Sequence, residues 1–223
     1  MRKIFDAYQL VGDLSNFYDR MLTKADLFGR LALKIFWGLD AAAYEKFLAQ
    51  AFAGIPKGFS GRLLEVPVGT GVLSLPRWRE MTGAEIFCVD LSDKMLDAAR
   101  SRARRLNLRG VEFLRGDVAS LPFADEFFDL VLSINGFHVF PDKTAAWHET
   151  RRVLRRGGIF CGCMYVKGVN RRTDFFVEKF CERQGFFTPP HETLTTLQAR
   201  LNELYARAEV THVESFAGFV CTK

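Results

Sequence analysis

No uninterrupted apolar run in this sequence approaches the ~20 residues needed to cross a bilayer. The best candidate, residues 31–39, is broken by Lys34 and closed by Asp40, so no transmembrane segment is expected. Arg2 and Lys3 stand near the start, but Asp6 interrupts the apolar residues behind them and no secretory signal is readable. Cysteine is sparse. Five thiols, an odd number without a leader, exclude a disulfide scaffold and predict reduced cysteines and a cytoplasmic location. Cys161 and Cys163 stand two apart in an apolar run, where a strand would turn both to one face. No histidine or second cysteine pair lies at zinc-like spacing from them, so they read as packing residues and no metal is expected. Internal repeats and low-complexity tracts are absent as well.

What is present is a globular composition. The 223 residues are 48% hydrophobic and 26% charged, which suits a single domain and excludes disordered and collagen-like chains. Lys and Arg number 31 against 26 Asp and Glu, a net charge of +5 that permits anionic partners without requiring them. Phenylalanine is the other excess, at 22 residues.

The order of apolar patterns predicts an α/β architecture. Residues 15–39 carry Phe17, Met21, Leu22, Leu27, Leu31, Ile35 and Phe36 at helical steps, and Asp40 is placed to cap a second helix over 41–52. Short β-like runs then alternate with helices. The strands are expected at 62–68 (RLLEVPV), 85–90 (EIFCVD), 111–114, 128–134 (FDLVLSI) and 159–166 (IFCGCMYV), with helices at 93–107, closed by Gly110, and at 144–154. Strands that are apolar throughout are buried on both faces, so the sheet should be parallel and covered by helices on each side. The end breaks that rhythm: an aromatic segment over 167–190, a helix over about 192–207, and two strands at 210–216 and 219–222 meeting at Gly218 as an antiparallel hairpin. The chain thus divides into an N-terminal helical cap (1–60), a sheet core (61–166) and a lid segment with hairpin (167–223).

In open parallel sheets, ligands bind beyond the carboxyl ends of the strands, where strand order reverses. The residues there are the EVPVGTG loop (Glu65, Gly69, Thr70, Gly71), Asp90, Asp117 and Asn135. Glycines allow close backbone approach, and a carboxylate 19 residues beyond Gly71 suits a ribose. That pattern alone admits NAD or any other adenosine cofactor. Two absences weigh against NAD: Ser74 stands where G-x-G-x-x-G needs its third glycine, and no Tyr-x-x-x-Lys relay occurs.

The stretches LLEVPVGTG, VDLSDKML, FLRGDVASLPFADEFFDLVLSINGFH and RRVLRRGGIF, in this order over about residues 62–166, resemble the class I S-adenosylmethionine-dependent methyltransferases. The likeness is to the branch holding ubiquinone- and menaquinone-biosynthesis enzymes and other small-molecule methyltransferases. It implies a Rossmann-like, seven-stranded, mostly parallel sheet with helices on both faces, and S-adenosyl-L-methionine as cofactor. Glu65 would face the methionine ammonium. Gly69, Thr70 and Gly71 would form the loop along the methionyl moiety, and Asp90 would hold the ribose hydroxyls. Leu91 and Met95 would border the adenosine, and Asp117 and the Val118 N–H would meet the adenine. Asn135 and Gly136 would lie near the methionine end, and Tyr18, in NFYDRM, would close over the cofactor. Pro67 departs from the pattern by replacing the first glycine, and a proline has no N–H to give a ligand.

A sulfonium methyl is already activated, so the resemblance implies that the protein mainly aligns the acceptor in line. Orientation of that kind supplies ~7–11 kcal/mol of a barrier. An acceptor of high pKa also needs a base; His138, just past the fourth strand, is the candidate, and a packing role is the competing one. Phe137, Phe140, Phe175, Phe176, Phe180, Phe186 and Phe187 point to a small apolar or aromatic acceptor, or else to the core of a cap. Two further readings stay open. The arginines of 100–115 and 151–172 could meet RNA or DNA, although acids are interspersed and no Asn/Asp-Pro-Pro-aromatic motif follows the fourth strand. A non-catalytic S-adenosylmethionine-binding protein is the other.

Overall fold

The apolar runs assemble into one seven-stranded sheet in a computed structural model that describes residues 27–223 together with Asp19. The strands are β1 (Gly61–Glu65), β2 (Ala84–Asp90), β3 (Val111–Arg115), β4 (Phe128–Ile134), β5 (Leu154–Tyr165), β6 (Arg207–Val213) and β7 (Phe216–Thr222). Their order across the sheet is β3-β2-β1-β4-β5-β7-β6. The first five run parallel, and β7 is antiparallel to both β5 and β6. This is the expected fold class. β1 lies between β2 and β4, so the chain reverses its direction of travel across the sheet at the β1/β4 seam.

The helices are α1 (Leu27–Trp37), α2 (Ala41–Ala51), α3 (Leu75–Trp78), α4 (Asp93–Arg105), α5 (Lys143–Val153), α6 (Arg171–Phe176) and α7 (Leu194–Leu204). α6 runs on through a π-helical turn, Val177–Cys181, into a short helical stretch, Glu182–Gln184. Side chains start most of them. Asp40 accepts from the Ala43 N–H at 2.9 Å and Asp142 from the Ala145 N–H at 2.9 Å. Ser92 caps α4, whose first turn carries Asp93 and whose last carries Arg102, Arg104 and Arg105, each sign matched to the helix dipole.

Alternate strand residues serve opposite faces, and two cores result. Leu64, Val131 and Phe160 pack with Trp147 of α5 and Leu197 and Leu201 of α7. Leu63, Leu130, Leu132, Cys161 and Cys163 pack with Tyr44 and Phe47 of α2 and Leu96 and Ala99 of α4. Leu63 and Leu64 are both fully buried, and truncating either to alanine would cost ~2–5 kcal/mol. Cys161 and Cys163 do share one face, and burial pushes both thiols up to about 12.

Several boundaries differ from those the sequence suggested. The helix over 93–107 stops at Arg105, and Asn107, at φ 54°, takes the left-handed position assigned to Gly110; asparagine tolerates that conformation at a helix end. The hairpin turns at Glu214 and Ser215, not at Gly218, which pairs with Cys163 and Thr211 inside β7. Gly218 is small for another reason: a Cβ there would stand 2.9 Å from the Gln50 side chain, which crosses to donate to the Phe216 carbonyl. The first part of the helix expected over 15–39, with Tyr18, lies outside the described residues. No described helix is long and apolar enough to cross a membrane.

Candidate functional site

At the carboxyl ends of β1, β2 and β4 lie two adjoining cavities that share Asp90 and Pro67 as a common wall. The first is lined by Glu65, the loop from Pro67 to Ser74, Asp90, Met95, Ile134 and Asn135. It gathers seven residues singled out from the sequence: Glu65, Gly69, Thr70, Gly71, Asp90, Met95 and Asn135. The second is bounded by Val66, Leu91, Ser92, Gly116, Asp117 and Val118 on one side and Val139, Phe140 and Pro141 on the other. It adds Leu91, Asp117 and Val118. Val139 and Pro141 were not singled out from the sequence, and Phe140 was assigned to the acceptor side. Their only signal was position, directly after the β4 turn.

The loop owes its shape to two glycines in left-handed backbone, Gly69 at φ 56° and Gly71 at φ 66°. A Cβ on Gly71 would also stand 2.4 Å from the Leu75 side chain, which opens α3 and would have to shift. The Gly69 N–H donates to Asp90 Oδ2 at 2.8 Å, and the Ser92 N–H to Asp90 Oδ1 at 2.9 Å. Burial pushes the Asp90 carboxyl up to about 6, against the pull of hydrogen bonds from the Ser92, Gly69 and Leu91 backbone. Glu65, 2% exposed, accepts from Trp78 Nε1 at 2.9 Å and from Cys88 Sγ at 3.7 Å. Burial pushes it up to about 7, and the neighbouring Asp90 adds to the rise. Two carboxylates thus stand buried side by side, a setting that stabilises a bound cation.

A clamp on the loop was missed. The sequence places Arg102 among the arginines of 100–115 that could meet RNA or DNA. Its guanidinium instead donates to the Thr70 carbonyl and pairs with Asp19, whose carboxylate also accepts from Thr70 Oγ1 at 2.5 Å. Helical spacing gave no sign of this, because the partner loop lies 32 residues upstream.

Gly136 and His138 are not brought into the cavity walls. Gly136 sits behind Pro67: a Cβ on it would meet Pro67 Cδ at 2.4 Å and Phe140 Cζ at 2.7 Å. His138 is buried, and its Nδ1 accepts the Tyr165 N–H at 3.1 Å, while its ring stacks on Phe187 at 4.1 Å. A ring that accepts at Nδ1 and is neutral carries its proton on Nε2, which can donate but not take a proton. Burial holds its pKa well below the ordinary histidine value. Of the two roles left open for it, base and packing, this geometry suits the packing one. Of the candidate acceptor aromatics, Phe137 stacks on Trp147 within the core at 3.6 Å, and Phe175 and Phe180 are exposed. Phe176 lies between Phe36 and Phe180, and Phe187 between Trp37 and His138.

The segment over 167–190 is hooked onto the loop after β4. Thr188 donates its N–H to the His138 carbonyl at 2.9 Å and its hydroxyl to the Val139 carbonyl at 3.0 Å. Lys143 donates to the carbonyls of Thr188 and Pro190. Among the described residues, no three His, Cys, Asp or Glu side chains converge as a metal site would need.

Residues 64–162, just under half of the chain, match the family model described as a methyltransferase domain. Over that stretch the chain is similar to methyltransferase domains. It is 34% identical over 141 residues to a demethylmenaquinone methyltransferase of Thermus thermophilus, an alignment covering 63% of this chain and 60% of the relative. It is 39% identical over 108 residues to an uncharacterized protein of Mycobacterium tuberculosis, covering 48% of this chain and 38% of that one. The chain thus spans between about two fifths and three fifths of these relatives' lengths. In fold it is similar to an S-adenosylmethionine-dependent methyltransferase of Thermotoga maritima, with TM-score 0.69, 20% identity, and coverage of 97% of this chain and 99% of that one.

Proposed function

We propose that this protein transfers the methyl group of S-adenosyl-L-methionine to a small apolar or aromatic acceptor. The observation that carries the reading is the pair of adjoining cavities at the strand-order reversal, joined at Asp90 and containing two buried carboxylates. The donor set fits the cofactor piece by piece. The acidic first cavity suits a methionyl group that carries an ammonium and a sulfonium. Asp90 retains free lone pairs for ribose hydroxyls. The slot between Leu91, Val118, Val139 and Phe140 suits a flat apolar base, with Asp117 at its mouth as an acceptor.

When bound, the cofactor supplies an electrophilic methyl group on sulfur. The remaining work belongs to the chain: Glu65 holds the cationic end and Asp90 the ribose, Arg102 and Asp19 fix the Thr70 loop, and the loop after β4 with the 167–190 segment excludes water and orients the acceptor. Alignment of two reactants in this way is worth ~7–11 kcal/mol. His138 is assigned a positioning role, holding the end of β5 to that loop through the Tyr165 N–H.

Relatives named for demethylmenaquinone and for fatty-acid O-methylation support an apolar acceptor. The arginines argue against a nucleic-acid footprint, because many are already spent on acids: Arg100 on Asp97, Arg115 on Asp93, Arg152 on Glu149 and Asp125, and Arg155 on Asp129. Five free, buried cysteines support a reducing, cytoplasmic setting. Calorimetry with S-adenosylmethionine tests the cofactor, and absence of binding ends the reading. Transfer of a tritiated methyl group into a lysate tests the acceptor: label in the organic extract is expected, and label in RNA alone would overturn it.

A further inference from the structure

Large apolar side chains left open to water are few among the described residues, and they cluster. Of the six, Leu91 lines the cofactor slot. The other five are Leu27 (80% exposed), Leu31 (53%) and Ile35 (43%) on α1, and Phe175 (63%) and Phe180 (47%) on the lid helix begun by α6. Leu27, Leu31 and Ile35 recur every four residues, so they form one stripe, on the side of α1 turned away from buried Ala32 and Leu33. The two helices are joined. Phe36 stacks on Phe176 at 4.4 Å, Phe176 on Phe180 at 5.4 Å, and Thr173 Oγ1 donates to the Phe36 carbonyl at 3.0 Å.

The charges on these helices have one sign outward. Arg30, Lys34, Arg171, Arg172, Lys179 and Arg183 are exposed, and none makes an ion pair among the described residues. The acids of the lid helix are engaged elsewhere. Asp174 accepts from the Tyr165 hydroxyl at 2.7 Å, Glu178 pairs with Lys167 at 2.6 Å, and Glu182 contacts His191 at 3.0 Å. Arg30 and Lys34 fall beside the leucine stripe, at the i+3 and i+7 positions from Leu27.

We propose that the outward faces of α1 and the lid helix form a docking surface for an anionic lipid bilayer. An apolar stripe flanked by unpaired Lys and Arg enters the headgroup boundary with its cations against lipid phosphates. A second copy of the chain fits worse, because a two-fold contact would set the same six cations against one another. The surface rests on its own observations. Only its use, drawing an apolar acceptor from the bilayer beside the lid, rests on the function proposed above.

The test is co-sedimentation of the full chain with vesicles of phosphatidylcholine containing phosphatidylglycerol, compared with phosphatidylcholine alone. Binding to the anionic vesicles, weakened by salt, is expected. Phe175→Ser with Phe180→Ser should weaken it about tenfold or more, as should Arg171→Glu with Arg172→Glu, a pair that leaves packing untouched. Calorimetric binding of S-adenosylmethionine should be unchanged in both variants, which also shows that they fold. No sedimentation with anionic vesicles, or equal binding by the wild type and the charge variant, overturns the proposal. So does a dimer in ultracentrifugation that the same substitutions dissociate, or amides of α1 protected from exchange by residues 1–26 in lipid-free protein. Vesicle binding without cofactor binding would sink the methyltransferase reading and leave this surface standing.

Discussion

The Gly69 N–H and the Asp90 carboxylate meet at 2.8 Å, tying the loop after β1 to the end of β2. Asp90 therefore does two jobs, shaping the glycine loop and facing both cavities. Its oxygens accept backbone N–H groups, Gly69 on Oδ2 and Ser92 on Oδ1, and keep capacity for a further donor. Asp90→Ala should weaken S-adenosylmethionine binding roughly a hundredfold, the equivalent of ~3 kcal/mol in lost hydrogen bonds. Asp90→Asn should lose less, because its amide oxygen still receives the Gly69 N–H. Calorimetry on both variants measures the difference, and equal losses would remove the loop-shaping role.

Glu65 gives the cleft a pH dependence. With its carboxyl pushed up to about 7 by burial, it is close to half protonated in neutral solution. A cation in the first cavity favours the ionised form, so binding should release a proton and affinity should rise from about pH 6 to about pH 8. Glu65→Gln should flatten that rise. Stability without ligand should move the other way. The folded pKa lies above the ordinary 4.5, so the folded chain holds more protons than the unfolded one between these values, and stability falls as pH rises from 4.5 to about 7. Thermal unfolding across that range, with and without S-adenosylmethionine, reads both slopes.

Pro67 and Gly136 are fitted to each other. Gly136→Ala should destabilise the fold by ~1–3 kcal/mol and distort the wall shared by the cavities, because the added methyl has no room against Pro67 and Phe140. Combining it with Pro67→Gly should recover part of the loss. A double-mutant cycle in denaturant gives the coupling, and strict additivity would show that the two sites do not communicate.

His138→Ala should leave the pH dependence of the rate unaltered, since its Nδ1 is occupied by a backbone donor. Its effect should fall on stability and on the acceptor KM, through loss of the Tyr165 contact and of the Phe187 stack. A vanished rate limb near neutral pH would restore the histidine as base.

The sheet was legible because its signals are local. Runs such as FDLVLSI have one reading when buried on both faces, and a carboxylate ending the second strand is visible by spacing alone. Asp90, Glu65 and the two glycines stand out in that way, and all line the first cavity. Arg102 does not, because a clamp between α4, the Thr70 loop and Asp19 depends on how separate elements turn toward one another. The same limit explains His138. Its place after β4 was readable, but the Tyr165 N–H that occupies its ring nitrogen comes from the end of β5, 27 residues on. Glycine between two β-like runs signals a turn by default, whereas Gly218 is small to admit Gln50.

The β1/β4 seam is short: three paired positions, Leu63 with Leu130, Leu64 with Val131 and Glu65 with Leu132, continued by the Val66 N–H to the Leu132 carbonyl. On one side of it hangs a wing of β1, β2 and β3 that carries Glu65, Asp90 and Asp117. On the other hangs a wing of β4, β5, β7 and β6 that carries Asn135 and Phe140. Both cavities straddle this joint. A molecule lying in them would touch both halves of the sheet at once, bridging the short seam from the outside.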